Sequence, residues 1–299
     1  MTPFTRLSAV IVLSGLAGGA LVAGQQQPLP SEPPRQFGAS ITGSYEGWFK
    51  NPDGTFSFLV GYLNRNRAQE MDVPIGPNNR IEPGGPDMGQ PSHFLPGRQI
   101  GVFIVTVPKE FTLQQRLTWT ITVNGQTNSV PFRLHTDYNV SPFSISHSKT
   151  LGNTPPVIRF EERGQTVQGP IGTGGKPIAT RTTSVATALA LDVWADDDAK
   201  YSTGSGAPIR NPPPPPVTVA FSKYRGPGKV TFEKVKPELE KLAGGNVNEP
   251  FRGRAKTTAK FSEPGEYILH MVANDYSGDG GGGEVCCWTT AMVKVTVTP

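Results

Sequence analysis

The sequence is poor in the residues that carry most enzyme chemistry and most covalent cross-links. Only two cysteines occur in 299 residues, and they are adjacent, so no intrachain disulfide can join distant strands. None of the four histidines lies at a metal-ligand spacing from another. GxSxG, HExxH and phosphate-cradling motifs are absent. The chain is therefore predicted not to be an enzyme, and core packing must stabilise its fold.

Charge of one sign and long apolar runs are also scarce. The formal net charge is +4, from 28 Lys and Arg against 24 Asp and Glu, and the charges are dispersed. Without a basic block or aromatic residues between basic ones, nucleic acid is not expected as a partner. After residue 24 no apolar run approaches the length of a membrane span, so the mature chain is expected to contain none.

The first 24 residues have the pattern of a secretory signal peptide. A short basic start precedes an apolar run at residues 7–23, and small residues then favour cleavage after Ala23 or Gly24. An uncleaved anchor fits less well, because the run is short and interrupted by glycine. Residues 25–37, including "QQQPLPSEPPR", are predicted to be a disordered lead-in. The mature protein is expected to be secreted or periplasmic.

Short strand patterns separated by turns dominate the rest of the chain. In "RLTWTITV", Leu117, Trp119, Ile121 and Val123 alternate with polar residues, which predicts a half-buried antiparallel strand. Residues 71–99 are dense in Pro, Gly and Asn and are predicted to be a long ordered loop, a second candidate for a functional surface. The overall prediction is an all-β chain with two tandem antiparallel β-sandwich domains, at residues 38–150 and 151–299.

The second domain shows its strands most clearly. Alternating patterns occur at residues 187–195, 217–221, 257–261, 267–273 and 291–297. Residues 236–244, "KPELEKLAG", are predicted to form one or two helical turns closed by Gly244.

The segments "NTPPVI", "LDVWADDDA", "FSEPGEYILHMVANDYSGDGG" and "VKVTV" resemble the immunoglobulin-like sandwiches of the PKD and bacterial cadherin-like type. This resemblance implies that Tyr267, in "PGEY", bonds through its hydroxyl to the backbone and has a structural role. Leu269 stands where antibody-type domains have their second cysteine, so no inter-sheet disulfide is expected. In the first domain, "YEGWFKNPDGTFSFLVGYLNRN" resembles an uncharacterised region of secreted bacterial proteins.

In such a sandwich the loops after the second strand and before the last strand meet at one end. Here these loops carry six carboxylates, at Asp196, Asp197, Asp198, Asp275, Asp279 and Glu284. Such a group predicts a calcium site, because calcium takes six to eight oxygen ligands from flexible loops. The alternative is an acidic tip that is simply solvated. No other cofactor is expected.

The cysteine pair lies where the last loop becomes the last strand. If Ala291 and Val293 face the core, strand parity places Cys287 on their side, with Cys286 and Trp288 on the outer side. Three alternatives stay open for the pair: a vicinal disulfide, two reduced structural thiols, or a metal or intermolecular bridge.

Two further interpretations concern single side chains. His270 alternates within a strand and is interpreted as a surface residue or one with its hydrogen bonds satisfied, rather than as a catalytic base. Trp48, Phe94 and Trp288 are candidates for an exposed platform for sugar or peptide, although core packing is the commoner position of a tryptophan.

The sequence thus favours an exported, non-catalytic binding or structural protein of the cell envelope or extracellular space, whose partner is a surface protein or glycan. Its acidic tip is the first candidate surface. Two alternatives are a calcium-dependent adhesion module and an extracellular carbohydrate-active hydrolase or accessory protein.

Overall fold

A computed structural model describes residues 32–140, 153–170, 175–201, 211, 213, 215–244, 246, 249–275 and 287–299. The predicted signal peptide and residues 25–31 of the predicted lead-in lie outside this part of the chain. Residues Pro33–Pro299 form one compact unit with two hydrophobic cores. We call residues 33–140 the N-terminal half and residues 153–299 the C-terminal half. Among the described residues, no helix is both long and apolar enough to cross a membrane.

The N-terminal half consists of small antiparallel sheets around one core. Its sheets are β1-β2-β6, β4-β7-β8 and β3-β5. These strands are β1 (Ile41–Lys50), β2 (Phe56–Asn64), β3 (Met71–Asp72), β4 (Asn79–Glu82), β5 (His93–Phe94), β6 (Gly97–Val107), β7 (Leu117–Val123) and β8 (Gln126–Phe132), and a 3-10 helix follows at Thr136–Tyr138. The alternation predicted for β7 is confirmed at Leu117, Trp119 and Ile121, which are buried, whereas Val123 is half-buried and Thr120 on the other face is also buried.

Residues 71–99 were predicted to be a loop, but the structure places β3, β4 and β5 in them. The buried amide of Asn79 cross-links this segment. It donates to Val73 O at 2.9 Å and to Pro91 O at 2.8 Å, and it accepts from Trp119 Nε1 at 2.9 Å. The density of Pro and Gly predicts the turns of this segment. No local sequence pattern predicts that the Asn79 side chain would join them.

The C-terminal half is a sandwich of two sheets. One sheet has the order β10-β17-β16-β12, and the other has the order β13-β15-β11-β9 with β14 added at β15. These strands are β9 (Val157–Arg159), β10 (Ala179–Ser184), β11 (Leu189–Asp197), β12 (Val217–Arg225), β13 (Val230–Phe232), β14 (Glu240–Ala243), β15 (Phe251–Phe261), β16 (Gly265–Asp275) and β17 (Trp288–Thr298). All pairs are antiparallel except β10 with β17. The all-β sandwich predicted from the alternating patterns is confirmed.

The helical turns predicted at residues 236–244 are wrong. Residues Glu240–Ala243 form strand β14, which pairs with β15. Two turns of helix are marginal without tertiary packing, and the backbone of β15 offers hydrogen bonds that replace the helical ones.

The two halves pack against each other through the four-stranded sheet. Its inner face, including Val293 and Val295, belongs to the core of the C-terminal half. Two buried residues of its outer face, Tyr224 and Met292, belong instead to the core of the N-terminal half. This sheet is therefore covered on both faces, and it places the candidate site between the halves.

Tyr267 makes the bonds that the resemblance implies. Its hydroxyl donates to Glu263 O at 2.8 Å and accepts from Gly228 N at 3.0 Å. Its ring is buried against Phe261, with the ring centroids 4.8 Å apart. The hydroxyl thus ties two turns to the start of β16.

Replacement of Tyr267 with phenylalanine is expected to lower the free energy of unfolding by about 1–3 kcal/mol, because the buried amide of Gly228 loses its acceptor. Urea denaturation checks this value. The matched control is Tyr138→Phe, at a side chain that is 47% exposed, where a change near zero is expected. Equal urea midpoints for Tyr267→Phe and the unchanged chain would contradict a structural role for the Tyr267 hydroxyl.

Candidate functional site

A cavity of about 730 Å³ lies between the two halves. The N-terminal half contributes β5 and the start of β6, with Tyr62 behind them, and the C-terminal half contributes the outer face of β12, β16 and β17. We call this cavity the cleft. Its lining mixes apolar walls with polar side chains, and the polar ones include His93, Arg98, Lys223 and His270.

Strand alternation explains which side chains of the C-terminal half reach the cleft. Residues such as Val219 and Leu269 point into the sandwich core, so their neighbours point outward. Ser222 on β12 lies directly opposite His270 on β16, and His270 in turn lies opposite Met292 on β17. The outer face therefore presents a short row of side chains from three neighbouring strands.

His270 is buried in this row and has one ring nitrogen unused. Its relative exposure is 7%, and its ring centroid is 5.6 Å from that of Tyr224. Burial lowers the pKa of His270 to about 4, so the ring is neutral at neutral pH. Its Nε2 has no hydrogen-bond partner in the part of the chain that the structure describes. The interpretation of His270 as a surface residue or one with its hydrogen bonds satisfied is therefore wrong.

Trp288 closes the cleft at the start of β17. Its side chain is on the outer face, as parity predicts, but it is only 2% exposed because β6 covers it. Gly101 of β6 approaches so closely that a methyl group there would overlap the Trp288 ring, with Cε2 at 3.0 Å. Within the described residues, Trp288 Nε1 lacks a hydrogen-bond partner.

A network of charged side chains lies at one end of the cleft. Asp72 Oδ1 accepts from His93 Nδ1 at 3.0 Å and from Lys223 Nζ at 2.8 Å, and Glu70 Oε2 lies 3.4 Å from His93 Nε2. Burial works against a charged imidazole, but the carboxylates of Asp72 and Glu70 outweigh it and raise the pKa of His93. Because Asp72 belongs to one half and Lys223 to the other, the network also links the halves.

A second set of bonds holds residues 87–92 against β12. Arg225 forms a bidentate pair with Asp87, at 2.9 and 2.8 Å, and also donates to Gln90 O. The Tyr224 hydroxyl donates to Gly89 O at 2.5 Å. Part of the segment predicted to be an ordered loop and a candidate functional surface thus joins the two halves.

Glu46 fixes the N-terminal rim of the cleft. Its carboxylate accepts from Gly101 N at 2.6 Å and from Arg98 at 2.9 Å. Burial raises the pKa of Glu46 to about 7, against the lowering effect of these two donors. The start of β6 therefore has a defined position over Trp288.

The residues of the predicted acidic tip are largely engaged with other partners. Asp196 pairs with Arg159 and Arg252, and Asp198 accepts from the backbone and hydroxyl of Thr154 at 3.1 Å. Among the described residues, no three acidic, histidine or cysteine side chains lie together in a way that could hold a metal. Asp279 and Glu284 lie outside the described residues, so calcium stays a prediction.

Asp197 and Asp275 are the two buried acids of this tip. Asp275 Oδ2 accepts from Asn153 Nδ2 at 2.8 Å, and Asp197 Oδ2 accepts from Ala199 N at 2.8 Å. Burial, together with the negative charges of Asp275 and Asp198, raises the pKa of Asp197 to about 7. At neutral pH the Asp197 carboxyl is therefore protonated in part of the molecules.

Cys287 is fully buried and disulfide-bonded, and its Sγ lies 3.9 Å from Asn153 O. Cys286 lies outside the described residues, so the vicinal disulfide stays a prediction.

The predicted aromatic platform does not form. Phe94 and Trp288 are buried, and the Trp48 indole donates to His135 O at 2.7 Å. Phe94 instead packs on Tyr62 and Trp119 within the core of the N-terminal half. Aromatic residues near turns suggested exposure, but core packing is their commoner position in folded chains.

No protein-family model matches the chain, and no curated protein matches it. Among solved structures, the chain is similar to dimeric latent PorU from Porphyromonas gingivalis, at 11% sequence identity and a TM-score of 0.26. The match covers 86% of this chain and 24% of that one, so this chain spans about a quarter of its length. A similarity of this size is too low to indicate a shared function.

Proposed function

We propose that this chain is an exported, non-catalytic binding protein that holds a small organic molecule in the cleft. The observation that carries the proposal is the cleft itself, a cavity of about 730 Å³ between the two halves whose lining joins apolar walls to polar side chains, among them His93, Arg98 and Lys223.

The size and position of the cleft support the same conclusion. Its volume of about 730 Å³ falls within the range of small-molecule sites, and such sites are common between packed domains. A folded protein partner does not fit into such a cavity, so we propose a small ligand in place of the surface protein or glycan that the sequence favoured. Export follows from the signal peptide predicted at residues 1–24.

The chemistry of the cleft supports binding over hydrolysis. Ser222 lies opposite His270, and a serine beside a histidine is a combination that hydrolases use. A general base works best when its pKa is near the working pH, whereas the pKa of His270 is about 4. Among the described residues, no Asp or Glu side chain lines the cleft to orient the imidazole.

A retention experiment tests the proposal. The purified protein is incubated with a metabolite extract and desalted, and the compounds that remain bound are identified by mass spectrometry. A variant with a filled cleft, Ala220→Phe, is compared with Ala243→Phe, which adds the same ring to an exposed strand away from the cleft. We expect at least one compound to be retained by the unchanged chain and by Ala243→Phe, and to be lost from Ala220→Phe.

Melting temperatures of both variants are measured first, so that loss of folding is not read as loss of binding. The proposed function would be contradicted if all three proteins retained the same compounds equally, or if none of them retained any compound.

A further inference from the structure

We infer that the C-terminal half binds an extended peptide, which pairs as an additional strand with the open edge of β11. The peptide lies in a cavity of about 290 Å³ between residues 160–162 and residues 190–194, which we call the edge groove. The edge groove shares no lining residue with the cleft, so a peptide there is independent of the small ligand proposed for the cleft.

Strand register shows which side of β11 carries the open edge. Ile158 of β9 exchanges backbone hydrogen bonds with Val167, at 2.9 Å in both directions, so its backbone groups face away from β11. Backbone direction alternates along a strand, so the neighbouring Arg159 faces β11, where it lies opposite Trp194. The N–H and C=O groups of Trp194 therefore point to the side of β11 on which β9 lies.

The same alternation points the backbone groups of Asp192 and Ala190 to this side, but β9 does not reach them. It ends at Arg159, and the chain then turns, with Gly164 N donating to Glu161 O at 3.1 Å. In the part of the chain that the structure describes, no other strand lies on this side of β11.

This edge is open to a partner strand. Ala190 is exposed, and residues 189–193 contain neither proline nor lysine, two residues that protect strand edges from pairing. The N–H and C=O groups of Ala190 and Asp192 together offer two donors and two acceptors. An extended peptide that continues the direction of β9 satisfies all four, as in recognition by strand addition.

The cavity beside the edge specifies an apolar residue at the centre of the peptide. Leu191 faces the sandwich core, and side chains directly opposite each other on paired strands point to the same face. The peptide residue opposite Leu191 therefore enters the cavity, whose inner wall includes Phe160 and Val293. Burial of one aliphatic side chain there contributes about 1.5–3 kcal/mol.

Glu162 favours a basic residue at the end of the peptide nearest β9. Of the three acids that line the edge groove, Glu161 is paired with Arg181 at 3.3 Å and Asp192 with Arg254 at 3.2 Å. Glu162 forms no ion pair with the described residues. It is exposed, so a lysine beside it adds about 0.2–1 kcal/mol, and the backbone bonds supply most of the specificity.

Amide hydrogen exchange of the free protein tests whether the edge is open. The backbones of Leu191 and Val193 face β15, so their amides should exchange slowly. The amides of Ala190 and Asp192 should exchange about tenfold or more faster. Equal protection in a monomer would mean that another segment of this chain covers the edge, and equal protection in a dimer that a second copy does. Either result would overturn the inference.

Isothermal titration calorimetry with matched peptides tests the partner. The probe is the blocked pentapeptide Lys-Thr-Val-Thr-Val, whose central valine lies opposite Leu191 when the two threonines lie opposite Asp192 and Ala190. The same peptide N-methylated at both threonines loses two donors, and we expect it to bind about tenfold or more weakly. Glutamate in place of the lysine is expected to weaken binding about two- to fivefold. Bound peptide should also protect the amides of Ala190 and Asp192.

Two variants of one residue complete the design. Ala190→Pro removes an N–H from the open edge and blocks pairing, whereas Ala190→Thr keeps the N–H and suits a strand. We expect the proline variant to lose peptide binding and the threonine variant to retain it. Melting temperatures are measured first, and if the proline variant does not fold, the N-methylated peptide decides alone. Equal binding of the methylated and unmethylated peptides, or no saturable binding of the unmethylated one, would overturn the inference and leave the proposed function of the cleft standing.

Discussion

Replacement of Gly101 with alanine is expected to lower the free energy of unfolding by about 3 kcal/mol. Two costs add. Gly101 has a φ of +55°, a left-handed conformation that costs an L-residue about 1–2 kcal/mol. The methyl group would also overlap the buried ring of Trp288, and overpacking of this kind costs about 1–3 kcal/mol.

Gly97→Ala is a matched control on the same strand. Gly97 has a φ of +76°, and an added Cβ would meet no atom within 4 Å. Its variant should therefore lose only the conformational part, about 1–2 kcal/mol. Urea denaturation measures the free energy of unfolding of both variants. The difference between their two losses reports the contact between β6 and Trp288. Equal losses at the two positions would mean that Trp288 does not pack against Gly101.

The strands of the C-terminal half were largely predictable because each is governed by a period of two residues. In β17 the residues predicted to face the core, Ala291 and Val293, are buried in it. In β17 the outer face also contains a signal that could have been used. Trp288 and Met292, with Thr290 between them, precede the charged Lys294, so the first half of this face carries two large apolar side chains. An apolar outer face of a strand indicates a second packing partner.

The cleft itself could not be predicted from these patterns. Its lining combines residues near 62, 93–102, 218–224, 235–236, 270–274 and 288, which only the docking of the two halves brings together. Strand parity gives the face on which His270 lies, but it does not give what covers that face. A buried histidine with an unused nitrogen has the same local sequence as an exposed one.

At the acidic tip the sequence showed the charged residues but not the partners that neutralise them. Six carboxylates in two loops suggested a shared cation, yet Asp196 is bonded to Arg159 and Arg252 on neighbouring strands. In antiparallel strands, cross-strand partners are set by register, so basic residues far along the chain can neutralise an acidic run. The run alone does not reveal which of its charges are already compensated.

Acidification is expected to destabilise the chain through His270, by up to about 3 kcal/mol. The pKa of His270 is lowered from 6.5 to about 4 by burial. Between these values the unfolded chain binds a proton that the folded chain rejects, so stability falls as pH falls through this window. At lower pH both states are protonated, and the loss reaches its limit.

Asp197 and Glu46 act in the opposite direction over a similar range. Their pKa values are raised from 3.8 and 4.5 to about 7, so the folded chain retains protons that the unfolded chain releases. Stability from these two acids falls as pH rises from about 4 to about 7. The dependence of stability on pH in the unchanged chain is therefore the sum of these opposing effects. Each effect is assigned to its residue by comparing the unchanged chain with a variant that lacks that residue.

His270→Gln separates the histidine from the two acids, because glutamine keeps a polar side chain of similar length but does not titrate in this range. Subtracting the stability of this variant from that of the unchanged chain, pH by pH between 4 and 7, should give a difference that rises with pH. Asp197→Asn is the companion variant, and its difference curve should fall with pH. Urea denaturation at fixed ionic strength supplies both curves. A flat difference for His270→Gln would mean that the imidazole is open to water, and the cleft wall would then not be the dry surface on which the proposed binding site depends.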